Sequence, residues 1–149
     1  LADTLTYAKR FKPAAVRDVA TLTGACVVAL GDYLTGMLGT DDALKDKIRQ
    51  AADATGEAVW ELPLWDEYNE LLKSDTADMK NTGNRTAGTI TAGLFLKKFV
   101  DDATPWVHLD IAGTSFCPKD KGYTPKGATG VGVRLLVDFL KRWTNGADG

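Results

Sequence analysis

The eight residues from Asp18 to Ala25, Asp-Val-Ala-Thr-Leu-Thr-Gly-Ala, constrain the fold of this chain more than any other stretch. The apolar run Ala14 to Val19 reads as a strand, and Thr23-Gly24 breaks it into a turn. A strand that stops so abruptly leaves main-chain N–H and C=O groups of Thr21 to Gly24 without ladder partners. In open α/β sheets, ligands bind at such strand ends, and exposed main-chain donors and acceptors suit a peptide-like ligand.

The flanking pattern alternates between helical and extended spacing. Leu1, Leu5 and Ala8 recur at helical intervals up to Pro13. Val27, Val28 and Leu30 form a second short apolar run closed by Gly31. Thr40 is the expected N-cap of a helix through Leu44, Ile48, Ala51, Ala52 and Thr55, with Asp41 and Asp42 in its first turn and Gly56 as its stop. Trp60, Leu62 and Leu64 alternate, but Pro63 confines them to an edge strand or an extended connector. Helical spacing returns at Leu64, Tyr68, Leu71 and Leu72, before a polar loop from Lys73 to Thr86. Ala92, Phe95, Leu96, Phe99 and Val100 mark an amphipathic helix. Val107, Leu109 and Ile111 mark a strand, and Gly113 to Gly130 a second long loop. Val133, Leu136, Val137 and Leu140 place the last helix, with Asn145-Gly146 as its stop. This order predicts one α/β unit over residues 1–149, a mixed sheet flanked by helices.

Charge and cysteine content narrow the functional classes. A net charge of -2 among 149 residues gives no broad positive field for nucleic acid or an anionic membrane. The longest strongly apolar stretch, Ala25 to Leu30, falls far short of the ~20 residues that span a bilayer. Cys26, Cys117 and the single histidine, His108, form no zinc-ligand spacing, and the thiols are read as reduced, in a cytoplasmic setting.

Beyond the opening motif, ordered blocks run the length of the chain: Gly56-Glu57, Trp60-Glu61-Leu62-Pro63-Leu64, Ser74-Asp75 to Ala77-Asp78, and Ala87-Gly88-Thr89-Ile90-Thr91-Ala92 with Phe95-Leu96. Trp106-Val107-His108-Leu109-Asp110-Ile111-Ala112-Gly113 and Gly127-Ala128-Thr129-Gly130 close the series. Together with Asp18 to Ala25, they resemble the leucyl aminopeptidases, also called cytosol aminopeptidases, which are di-metal exopeptidases. The resemblance implies the C-terminal part of such a catalytic domain. It aligns Leu1 just after the family's Asn-Thr-Asp-Ala-Glu-Gly-Arg-Leu signature. It thus implies that the metal ligands and the catalytic Lys and Arg lie upstream, and that the fragment by itself is inactive. Catalytic and metal-ligating residues are therefore expected to be absent here. The parent enzyme is expected to use two divalent ions, manganese or zinc, to act on peptides with leucine-like N-termini, and to assemble as a homo-hexamer.

The resemblance also implies substrate-binding residues. Thr21 and Leu22 would accept hydrogen bonds from the substrate's amine and amide through their carbonyls, and the Gly24 N–H would meet a carbonyl. Ala112 and Ser115 align with walls of the pocket for the first side chain, and Thr82 with a further wall. Ser115 and Thr82 stand where the family often carries apolar residues, which implies a more polar pocket and a weaker preference for leucine.

Other features have structural readings. Asp75 and Asp78 suit loop caps and solvated charges better than a metal site. His108 and Asp110 read as a partnered, partly buried pair, since no nucleophile completes a triad. Gly127 to Gly132 lacks the Gly-Lys-Ser/Thr ending of a phosphate-binding loop. Cys117 stands in a loop open to oxidants and is read as incidental. The alternative function is a non-catalytic, structural or DNA-binding module of the same family. It requires Lys97, Lys98, Lys119, Lys121, Lys126, Lys141 and Arg142 to converge on one face, and the acidic total disfavours it.

Overall fold

In the computed structural model, which describes residues 1–145, the chain winds a four-stranded mixed sheet between two layers of helices. Helix α1 (Ala2–Ala8) continues as a 3-10 turn, Lys9–Phe11, and leads into strand β1 (Val16–Ala20). Helix α2 (Gly24–Leu30) follows, then β2 (Thr35–Gly39), α3 (Asp42–Thr55) and β3 (Val59–Glu61). A 3-10 helix, Asp66–Leu72, and the loop after it lead to α4 (Gly88–Lys97) and β4 (Trp106–Asp110). A small hairpin of β5 (Phe116–Cys117) and β6 (Gly127–Ala128) precedes α5 (Val133–Asn145).

The strand order is β1-β4-β2-β3. Strand β4 runs parallel to β1 and antiparallel to β2, and β2 runs parallel to β3. The Pro63-bearing segment thus follows an edge strand, where a missing ladder donor is tolerated. The register pairs Ala20 and Gly36 with Asp110, so the turn after β1, the loop after β4 and the start of β2 share one end of the sheet.

All five residues of β4 are buried, because both of its faces are covered. Val107 and Leu109 pack with Met37 against Leu44, Ile48, Ala51 and Ala52 of α3 and Leu135 and Phe139 of α5. Trp106 faces the other way, into a cluster with Leu5 of α1 and Leu96 of α4.

The apolar run after Gly24, to which the sequence assigned no element type, is a helix, N-capped by Thr23, whose hydroxyl accepts from the Cys26 N–H. Other elements depart from the sequence reading. The N-cap of α3 is Asp41, which accepts from Leu44 N–H at 2.7 Å, and not Thr40; the Thr40 hydroxyl instead accepts from Trp106 N–H. Gly56 closes α3 in the left-handed region, as its sequence position predicts. Helix α4 stops at Lys97, so Phe99 and Val100 belong to the following turn. Helix α5 buries Leu135 and Phe139, whereas Val133, Val137 and Leu140 of the expected core row are exposed. Gly146 of the expected stop lies outside the described residues. Among the described residues, no helix is long and apolar enough to cross a membrane.

Candidate functional site

The site is organised by a carboxylate that the sequence reading assigned to a different pairing. Asp110 ends β4 and is 1% exposed. A buried carboxylate is costly unless donors surround it, and here four converge. Oδ1 accepts from the N–H groups of Leu22 at 3.1 Å, Thr23 at 3.4 Å and Ala112 at 3.1 Å. Oδ2 accepts from the Thr23 hydroxyl at 2.7 Å, and Thr23 Oγ1 in turn meets Thr89 Oγ1 of α4 at 2.9 Å. One side chain thus ties together the turn after β1, the start of α2, the start of α4 and the loop after β4.

The amides of Leu22 and Thr23 are therefore satisfied inward, contrary to the expectation that every main-chain group from Thr21 to Gly24 is free. No hydrogen bond among the described residues engages the carbonyls of Thr21 and Leu22 or the Gly24 N–H. Thr21 and Gly24 are exposed and Leu22 is half-buried. The Cys26 thiol lies beneath the turn, and its Sγ donates to the Asp110 carbonyl at 3.6 Å. Its pKa is raised by burial and then by the charge of Asp110, against a lowering contact with the Gly36 backbone, so the thiol form is favoured.

Four of the six predicted site residues gather at this end of the sheet: Thr21, Leu22, Gly24 and Ala112. Ser115 follows on the same loop, its N–H bonded to Ile111 O and its carbonyl accepting from Thr129 N–H. Thr82 lies in the loop 73–86 and meets Leu22 across a cavity of about 860 Å³, whose walls include Thr23, Thr91, Phe95 and Phe99. That volume suits a small molecule or a short peptide segment. Thr21, Gly24, Ala112 and Ser115 do not line it.

His108 pairs with Asp18, not Asp110, and both are buried. Its Nδ1 donates to Asp18 Oδ1 while the Trp106 indole donates to Oδ2 at 2.6 Å. This pairing spans 90 positions and has no local signature in the sequence. Cys117 is buried, not open to oxidants, and its thiol donates to Lys119 O at 2.8 Å.

The glycine-rich entry to α5 is filled from within. Glu57 is 8% exposed and accepts from Gly132 N–H at 3.0 Å and Leu135 N–H at 2.9 Å, supplying the negative charge that a helix N-terminus favours. Among the described residues, no group of three or more His, Cys, Asp or Glu side chains is placed to hold a metal ion, and these residues therefore do not fit a di-metal centre by themselves. Asp75 and Asp78 flank a turn in which Ser74 Oγ accepts from Thr76 and Ala77 N–H. Two of the lysines stand apart: Lys97 borders a cleft with Gly39 at one end of the sheet, and Lys121 stacks on Tyr33 at the other.

The Cytosol aminopeptidase family, catalytic domain, matches residues 1–137. A probable cytosol aminopeptidase of Geobacter sulfurreducens is 62% identical over 95% of this chain, and one of Chlorobaculum tepidum is 56% identical over 97%. The chain spans 28% and 29% of the lengths of those two relatives. A mutant of tomato leucine aminopeptidase superposes with a TM-score of 0.89 at 43% identity, covering 95% of this chain and 27% of that one. The bottromycin maturation enzyme BotP superposes at 0.93 with 38% identity, covering 97% and 32%. The mixed sheet, the turn held at its end and these matches over nearly all of its residues lead to one conclusion: the chain belongs to the cytosol aminopeptidase family.

Proposed function

We propose that these residues form the substrate-binding part of the catalytic domain of a metal-dependent aminopeptidase. The enzyme removes leucine-like residues from the N-termini of peptides. The observation that carries this reading is the turn at Thr21 to Gly24, with two carbonyls and one N–H unengaged beside a loop that bears Ala112. Thr21 and Leu22 carbonyls accept from the substrate's amine and amide, and Gly24 N–H donates to a substrate carbonyl. Ala112 and Ser115 wall the first side-chain pocket, and Thr82 a further one. Ser115 and Thr82 bring hydroxyls to the walls, which favours tolerance of moderately polar side chains alongside leucine.

Two divalent ions, manganese or zinc, are held by residues outside these 149, in a cytoplasmic homo-hexamer. When bound, such ions polarise the scissile carbonyl and lower the pKa of water. The groups described here act on the substrate's main chain and hold it in register.

The test is hydrolysis of a leucine chromogenic substrate with Mn²⁺ or Zn²⁺ by the complete enzyme and by the 149-residue chain. Turnover by the complete enzyme and none by the chain is expected. Turnover by the chain, or none by the enzyme, contradicts the reading.

A further inference from the structure

We propose that Asp110 is a positioning residue for the substrate, turning the Thr21 and Leu22 carbonyls outward, toward the substrate, by holding the amides on the opposite edges of the same peptide planes. The proposal rests on the aminopeptidase reading and adds to it a residue that does not itself touch substrate. A trans peptide unit is planar, so its N–H and C=O point in opposite directions. The Leu22 N–H shares a plane with the Thr21 carbonyl, and the Thr23 N–H with the Leu22 carbonyl. Asp110 Oδ1 draws both N–H groups inward, at 3.1 and 3.4 Å, and the two carbonyls are turned outward as a consequence.

The same oxygen accepts from Ala112 N–H at 3.1 Å, which fixes the start of the loop after β4 relative to the two carbonyls. Oδ2, through the Thr23 hydroxyl, adds a link to Thr89 at the first turn of α4, next to the wall formed by Thr91 and Phe95. The carboxylate is 1% exposed, so water does not compete for these bonds. Its charge also acts through the planes. An anion at the N–H edge polarises each peptide group and makes the carbonyl a stronger acceptor, so an isosteric neutral side chain does not replace it.

The experiment compares Asp110→Asn and Thr23→Val with wild type in the complete enzyme. Hydrogen exchange in peptides covering residues 20–24 and 111–113 is read first, because it needs no activity. Asp110→Asn is expected to accelerate exchange there by about 10- to 100-fold, the loss that follows removal of charge-assisted hydrogen bonds, with protection elsewhere unchanged. Thr23→Val, which keeps the carboxylate and its main-chain bonds, is expected to have a smaller effect in the same direction. It keeps the proposal testable if Asp110→Asn does not fold.

Kinetics follow, with a leucyl tripeptide and its analogue methylated at the second amide nitrogen. Asp110→Asn is expected to raise KM about 10-fold with kcat changed less, and to shrink the penalty that methylation imposes on wild type. Unchanged exchange in both segments overturns the proposal, as does a fall in kcat at constant KM with an undiminished methylation penalty. A wild-type enzyme that cleaves no peptide overturns the aminopeptidase reading, and the exchange data still decide whether Asp110 holds the turn.

Discussion

The two faces of β4 differ in chemistry, and the difference separates what makes the domain stable from what shapes its cleft. On one face Val107 and Leu109 enter an apolar core with α3 and α5. On the other, Trp106 packs with α1 and α4, and beside it Asp18 and Asp110 each gather several donors, His108 among those of Asp18. Apolar packing is non-directional and tolerates small shifts, whereas a carboxylate with four fixed donors specifies orientation. The polar face is therefore the one able to hold a main-chain turn in one geometry.

Substitutions can set these faces against each other. Phe139→Ala removes the largest α5 contribution to the apolar core and is expected to cost about 3–5 kcal/mol in denaturant unfolding. KM of the molecules that remain folded should be unchanged; a shift would mean that the two faces are not independent. Asp18→Asn weakens the bonds to His108 and Trp106 and should cost about 1–3 kcal/mol. Because Asp18 makes no bond to the turn at Thr21 to Gly24, its effect on KM should be much smaller than that of Asp110→Asn. Equal KM effects would show that general rigidity of the polar face is what matters.

Glu57→Gln keeps the shape of the cap on α5 and removes its charge, with an expected loss of about 1–2 kcal/mol on thermal unfolding. No loss would show that α5 is held by Leu135 and Phe139 alone. Cys26 supplies a pH test. Its folded pKa is raised, so the native state retains the thiol proton over a pH range in which the unfolded chain has lost it. Its contribution is therefore complete below the unfolded thiol value of about 8.5 and falls as pH rises towards the folded pKa. Unfolding measured from pH 7 to 10 should show a decline that Cys26→Ala reduces; an identical slope in both proteins would remove Cys26 as a source. Smallest of all, Val137→Lys on the exposed row of α5 should change monomer stability by less than about 0.5 kcal/mol. A larger loss would mean that this row is covered in solution.

Local signals account for what the sequence revealed of this architecture. Leu44, Ile48, Ala51 and Ala52 carry α3 because a helix of fourteen residues repeats its pattern often enough to be read. Helix α2 escaped because Val27, Val28 and the leading glycine are poor helix formers. It is set by the Thr23 cap, whose hydroxyl is itself held by Asp110 from the far end of the chain. Helix α5 is apolar around a wide arc, so periodicity located it but could not choose between the Val133-Val137-Leu140 row and the Leu135-Phe139 row. The core formed with α3 makes that choice.

Thr21, Leu22, Gly24 and Ala112 of the candidate site were named through the family motifs alone, and the register of β1 on β4 explains their proximity. The role of Asp110 was legible in principle: an aspartate at the end of a strand as apolar as Val107-Leu109 needs donors if it is buried. Its partners lie 87 and 88 positions away and could not be named from the sequence.

The most direct test is a crystal structure of the complete enzyme with a non-hydrolysable leucyl peptide analogue bound. The Thr21 and Leu22 carbonyl oxygens and the Gly24 nitrogen are expected to lie within about 3.2 Å of the ligand's main-chain polar atoms, while Asp110 keeps its bonds to Leu22, Thr23 and Ala112. A ligand bound elsewhere, or one held at this turn by side chains with those three main-chain groups left facing water, would contradict it.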